Sequence, residues 1–284
     1  MSAFGGDLRD RIRPKADLPA PDDAFIVAFA RLLLTRLPQH IAFALGEGMD
    51  AFSNAALAAS LLGVLVLTGA ASARFRVTWV WIFAAIIVVG LHAIAVRSSG
   101  QLLPSWGALD ENWNVSGKFY AIVASVITVL ALRIDPRALG LTWRWDRQAM
   151  IAWAFLAAVT LILIGLAFAA PDRPSDWGER LYQATLPGLD EELFYRGLLL
   201  AILLKAFASV PNPLASLVPA VITTLAFVGA HALVIEEGAF TLRLTGIASP
   251  LIAGTLLVWL RLQTGGLLAP ILLHNTINSV FRWL

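Results

Sequence analysis

The chain contains no cysteine, which excludes disulfides, thiolate metal ligands and a cysteine nucleophile together. Charge is scarce as well: 14% of residues are Asp, Glu, Lys or Arg, while 58% are hydrophobic and the mean hydropathy is +0.76. That balance lies outside soluble globular domains and belongs to a chain that meets lipid. The formal net charge is only +2 and the basic residues are spread among loops, so no nucleic-acid partner is expected. No His-Glu-x-x-His and no Gly-x-Ser-x-Gly occurs, which removes the zincin and serine-elbow mechanisms. Asp190 is the one aspartate inside a predicted span, so a pair of catalytic aspartates on facing spans is missing too.

What the chain has instead is a succession of long apolar stretches. Residues 51–71, 78–96, 117–134 and 149–170 each read as a spanning helix, ended by charge, Gly or Pro, and long enough at about 1.5 Å per residue for a hydrocarbon core of about 30 Å. Residues 1–22 are polar and Pro-rich, and no signal-peptide core follows them, so they read as an uncleaved cytoplasmic tail. Residues 24–46 carry Arg31, Arg36 and Pro38 and fit either a first span or an interfacial amphipathic helix. The 97–116 connection reads as a solvated loop. Four further helices are predicted at 181–205, 217–235, 245–262 and 267–284, and the short loops between them make them antiparallel neighbours. The fold class is all-α: a polytopic transmembrane helical bundle of about eight or nine spans with a C-terminal four-helix core.

Orientation follows from Lys and Arg. If residues 24–46 span, the tail and the loops bearing Arg74, Arg76, Arg133, Arg137, Arg144, Arg147, Lys205 and Arg261 fall on one side, and Arg97, Lys118, Arg173, Arg180, Arg243 and Arg282 on the other. The richer side is cytoplasmic.

Three acids and an arginine interrupt the apolar run Leu186 to Leu200, as Asp190, Glu191, Glu192 and Arg196. A charge at mid-bilayer depth costs about 2.5 to 3.5 kcal/mol on insertion scales, so such a cluster persists when its members pair or do chemistry. Glu192 and Arg196 are four apart and share a helix face, which favours an internal ion pair. Glu191 is turned about 100° away, toward Tyr195, with no partner on its own helix. Later spans add His231, four residues after Phe227, and His274 with Asn278, also four apart. Each residue taken singly has a structural explanation, since polar groups in spans often hold helices together; as a set with Glu191 they point to a site. His92 and His40 read as interface anchoring and packing, and Phe227 as core.

Glu191-Glu192-x-x-x-Arg196, Phe227-x-x-x-His231 and His274-x-x-x-Asn278, in this order on successive helices, resemble the CPBP family of glutamic intramembrane proteases. That family, also called Abi, includes CAAX prenyl endopeptidases of the Rce1 type and bacteriocin-processing proteins. The resemblance covers roughly residues 178 to 284 and divides the chain into a tail at 1–22, accessory transmembrane helices at 23–177 and a catalytic core at 178–284. It implies that Glu191 and His231 hold and deprotonate a water, that His274 and Asn278 donate to the oxyanion, and that Glu192 and Arg196 brace the helix. It assigns no role to Asp190.

The substrate implied is a peptide or protein at the membrane, lipid-modified or of the bacteriocin type, and the expected partners are that substrate and membrane lipid. The expected location is a bacterial inner membrane, crossed many times. No cofactor is implied, although Glu191, His231 and His274 are chemically suited to zinc. A non-catalytic binding or self-immunity protein built on the same polar centre is the alternative, with a proton-relaying transporter third. By the charge count His231 lies at the end away from the cytoplasm, whereas CAAX-processing relatives imply cytoplasmic substrates.

Overall fold

A computed structural model describes residues 61–67, 69, 77–100, 102–111, 113–170, 175–211, 213–236 and 239–283. The predicted tail, residues 24–46 and His40 lie outside the described residues, and the predicted 51–71 helix is described, as helix, only at 61–67 and 69. The elements that follow are α1 (Trp79–Arg97), α2 (Ala108–Glu111), α3 (Val115–Ala131), α4 (Pro136–Leu139), α5 (Arg147–Ala169) and α6 (Trp177–Glu192). A π-helical segment (Leu193–Leu199) continues α6 into α7 (Leu200–Ala206), and then come α8 (Leu214–Ala232), strands β1 (Leu233–Glu236) and β2 (Ala239–Leu242), α9 (Thr245–Thr264) and α10 (Leu268–Trp283).

Among the described residues, α1, α5, α8 and residues Gly246–Thr264 of α9 are long and apolar enough to cross a membrane, and α3 is a shorter apolar helix. The protein is an integral membrane protein of helical type. Helix α5 is the outermost of these: only 17% of its spanning window is buried, and Leu161, Ile162, Leu166 and Phe168 stand exposed along it, as expected of a lipid-facing surface. At α3, α5 and α6 the start is set by a short polar side chain that satisfies otherwise orphaned backbone donors. Asp146 accepts from the N–H groups of Gln148 and Ala149 at α5, Asn114 from Gly117 at α3, and Asp176 from Glu179 at α6.

The rod formed by α6, the π segment and α7 is the centre of the molecule. Every residue from Phe194 to Leu203 is buried. On one side Phe194, Leu198 and Ile202 pack with Ile82, Ala85 and Val89 of α1. Helix α10 lies along α6, α9 along α8, and α3 along both α1 and α6. A second cluster, built from Ala152 and Leu156 of α5, Leu257 and Leu260 of α9 and Leu273 of α10, seats the lipid-facing helix.

Two features depart from the sequence expectations. The predicted 217–235 helix stops at Ala232, and Leu233–Glu236 pairs antiparallel with Ala239–Leu242, Leu233 opposite Leu242. Leu-Val-Ile and Ala-Phe-Thr-Leu supply β-branched and aromatic residues on both sides of Glu236-Glu237-Gly238, which favours paired strands over a longer helix. Arg261, expected among the loop charges, is buried. Its guanidinium donates to the carbonyls of Arg196 at 3.1 Å, Gly265 at 2.9 Å and Ala138 at 2.8 Å, tying α9 to the π segment and α4. A buried charge needs such partners, and Arg261 therefore carries no weight in the orientation count.

Candidate active site

The site begins beside a proline within α6. Pro187 lies inside this helix and cannot donate to the ladder. Asn275 of α10 fits against the same turn: its side-chain oxygen accepts from the Gly188 N–H at 2.9 Å and its amide donates to the Thr185 carbonyl at 3.2 Å. A Cβ at Gly188 would meet Asn275 Oδ1 at 2.2 Å, so only glycine permits this approach. The acidic triplet follows within one turn, at the point where the helix widens into the π segment. Such bulges change the direction in which side chains leave the rod.

Glu192 and Arg196, both without solvent exposure, form the expected ion pair, Nη1 to Oε1 at 2.9 Å. Arg196 also donates to the Gly254 carbonyl at 3.2 Å, and its Cζ lies 4.3 Å above the Phe227 ring, so Phe227 is core and a cation–π partner at once. His274 Nδ1 reaches the same Glu192 oxygen at 2.7 Å.

Glu191 has no partner on its own helix but is paired all the same. Lys118 of α3 places Nζ 2.6 Å from Glu191 Oε1 and 3.0 Å from Asp190 Oδ2. His92 of α1 completes the group, with Nε2 3.0 Å from Asp190 Oδ1 and its ring stacked 3.8 Å from Phe194. His92 is therefore a buried partner of the acid cluster and not an interface anchor. Lys118 is the counter-ion of Glu191 and not a loop charge. The signal for a missing cation was present in the sequence, since three acids faced a single arginine within Asp190 to Arg196.

The other Glu191 oxygen, Oε2, is buried without a direct hydrogen bond among the described residues. It faces His231 Nε2 at 3.6 Å and His274 Nε2 at 3.9 Å. His231 Nδ1 lies 2.8 Å from the Phe227 carbonyl, and a carbonyl only accepts, so the proton on that nitrogen is assigned and Nε2 is left toward Glu191. The structure thus brings together Glu191, His231 and His274, with Glu192 and Arg196 adjoining. Asn278 stands one turn along α10 from His274, half-buried, with no side-chain bond to the group among the described residues. No group of three His, Asp or Glu side chains among the described residues meets the requirements for holding a metal ion.

Access is from the His231 side, where that side chain is 37% exposed against 12% for Glu191. Lys118, Glu191 and His231 line a cavity of about 320 Å³ whose remaining walls are mostly apolar, Leu62, Val89 and Leu225 among them. The α3 turn that presents Lys118 is held by Asp110. This carboxylate accepts from the N–H groups of Trp106 at 2.7 Å and Ser116 at 2.8 Å, and from the hydroxyls of Ser99 and Ser116. Partial burial alone would raise the Asp110 pKa, but the hydrogen bonds from Ser116, Trp106 and Ser99 outweigh it and bring it down to about 2.

No solved structure matches the chain. Residues 173–280, which contain Asp190, Glu191, Glu192, Arg196, His231, His274 and Asn278, match the family model described as type II CAAX prenyl endopeptidase Rce1-like. Over this C-terminal segment the chain is similar to that family.

Proposed function

We propose that the protein is an intramembrane glutamic endopeptidase that hydrolyses a peptide bond of a membrane-associated substrate. The observation that supports this best is the single Glu191 oxygen, free of direct hydrogen bonds, turned toward two imidazole nitrogens at 3.6 and 3.9 Å. Polar atoms at that separation suit a bridging water. A water between Glu191 Oε2 and His231 Nε2 gives up one proton to this pair as its oxygen attacks the carbonyl carbon. The C–N bond then breaks, the amine leaves with the proton held by the pair, and the new carboxyl group keeps the water oxygen.

His274 and Asn278 are the proposed donors to the oxyanion. His274 stands between two carboxylates, with Nδ1 at Glu192 and Nε2 toward Glu191. Lys118 and Arg196 are two cations against the three carboxylates of Asp190, Glu191 and Glu192. Catalysis of this kind works through donors fixed in advance in a dry site. No metal is assigned to this reaction and no step passes through one.

The mostly apolar cavity beside Glu191 supports a lipid-modified substrate, a prenylated one in keeping with the description of the matched family. We place the protein in the bacterial inner membrane, with residues 178–284 as the catalytic core and 23–177 as accessory helices. In membranes carrying a co-expressed substrate, Glu191→Ala and His231→Ala each abolish the cleavage product while the protein still accumulates. A parent protein that binds the substrate and yields no product would identify a binding or self-immunity protein instead.

A further inference from the structure

Two side chains that touch the acid cluster come from outside the matched segment 173–280: Lys118 of α3 and His92 of α1. They form a continuous line of charge-assisted contacts. His92 Nε2 meets Asp190 Oδ1 at 3.0 Å, Lys118 Nζ meets Asp190 Oδ2 at 3.0 Å, and the same ammonium meets Glu191 Oε1 at 2.6 Å. The line ends on the carboxylate whose second oxygen faces His231 and His274.

Each member is immobilised by its neighbour. His92 is sandwiched against Phe194, Asp190 has no solvent exposure, and both Asp190 oxygens are taken. The ammonium is a compact point charge with three donors, two of which the acids use. A glutamate on a helix has several rotamers and a carboxylate that turns about its last bond. A short charge-assisted contact on one oxygen selects one of these states and leaves the other oxygen pointing at the imidazoles.

Resting on the hydrolytic reading above, we infer that Lys118 is a positioning residue for Glu191, supplied by the accessory helices and itself fixed by the Asp190 and His92 pair. Residues 173–280 hold the reacting groups but not the counter-ion that aims one of them. The working site therefore extends from α1 to α10.

A purely structural role for Lys118 would consist of balancing charge, and the two roles separate experimentally. The probe is a fluorogenic farnesylated peptide ending in a CAAX sequence, given to the purified full chain in detergent. Lys118→Met is expected to lower kcat by about 100-fold, the scale of a misplaced reacting group, with KM within about threefold of the parent. Lys118→Arg keeps a cation within reach of both acids and recovers part of the loss. Lys118→Met combined with Asp190→Asn removes one charge of each sign, so the cluster keeps its net charge while Glu191 Oε1 loses its partner. Its kcat is expected to stay low even though its melting temperature returns toward the parent's.

Recovery of parental kcat in the double variant, or a Lys118→Met variant within threefold of the parent, would overturn the inference. Should Lys118→Met fail to fold, the charge-balanced double variant carries the test. Glu191→Gln in the same assay keeps the two readings apart. An inactive Glu191→Gln beside a fully active Lys118→Met sinks the positioning role alone, whereas an active Glu191→Gln sinks Glu191 as the water-activating group and the positioning role with it.

Discussion

His274 Nδ1 and Arg196 Nη1 converge on one oxygen of Glu192, at 2.7 and 2.9 Å, in a place with no solvent. Glu192 is thus more than the partner of an arginine one turn away. It fixes the ring plane of an imidazole on another helix, and through that ring it meets Glu191.

Removing only the acid leaves a buried guanidinium unpaired. Glu192→Gln is expected to lower stability in detergent by about 3 to 5 kcal/mol, the scale of a broken buried ion pair. The double variant Glu192→Met with Arg196→Met is expected to melt closer to the parent, because both charges leave together. Differential scanning fluorimetry of the two variants checks the order, and a double variant less stable than the single one would contradict it.

Asn278 is the proposed second donor to the oxyanion, and its side chain makes no hydrogen bond to the cluster among the described residues. Asn278→Ala is expected to lower kcat by about 100-fold or more, as loss of an oxyanion donor does, without lowering the melting temperature. Steady-state kinetics together with a melting curve decide this, and a variant with normal kcat removes Asn278 from the site.

The spans were legible in the sequence because an apolar stretch bounded by charge or turn residues has few ways to fold in lipid. Predicted bounds of 78–96 and 149–170 became Trp79–Arg97 and Arg147–Ala169. The triplet, the two histidines and the Glu192 to Arg196 pair were legible too, because helical spacing fixes neighbours four residues apart. Lys118 and His92 were not. They lie 73 and 98 residues from their partners, and no local pattern ties residues on separate helices. Arg261 was misplaced for the same reason, since burial depends on where α4 and the π segment come to rest. The widened turn at Leu193–Leu199 left no mark in the letters.

Acid is expected to weaken the α3 end through Asp110. Its pKa is lowered from 3.8 to about 2 in the folded chain, so the stabilisation is complete above the unfolded value and disappears as pH falls through the folded one. Between about pH 4 and pH 2 the parent is therefore expected to lose melting temperature faster than Asp110→Asn. Melting curves across this interval read the difference, and parallel slopes would remove Asp110 as the cause.

Strong chelation is expected to leave peptide cleavage intact, and metal analysis of the active protein is expected to show zinc well below one ion per chain. Loss of activity on chelation that added zinc restores would replace the water bridge between Glu191 and His231 with a metal centre.

Asn275→Ala leaves the Gly188 N–H and the Thr185 carbonyl without their amide partner, at an expected cost of about 1 to 3 kcal/mol. Gly188→Ala, whose methyl would enter the Asn275 oxygen, is expected to cost at least as much. Chemical denaturation in mixed micelles measures both.

The amide that bonds the Gly188 N–H and the Thr185 carbonyl, on either side of Pro187, belongs to the residue immediately after His274. One imidazole and the triplet that begins three residues beyond the proline are therefore keyed together, as two gears sharing a tooth. Any slide or roll of α10 along α6 must first unlock that tooth, so the alignment of His274 with Glu191 is inherited from an irregularity in the neighbouring backbone.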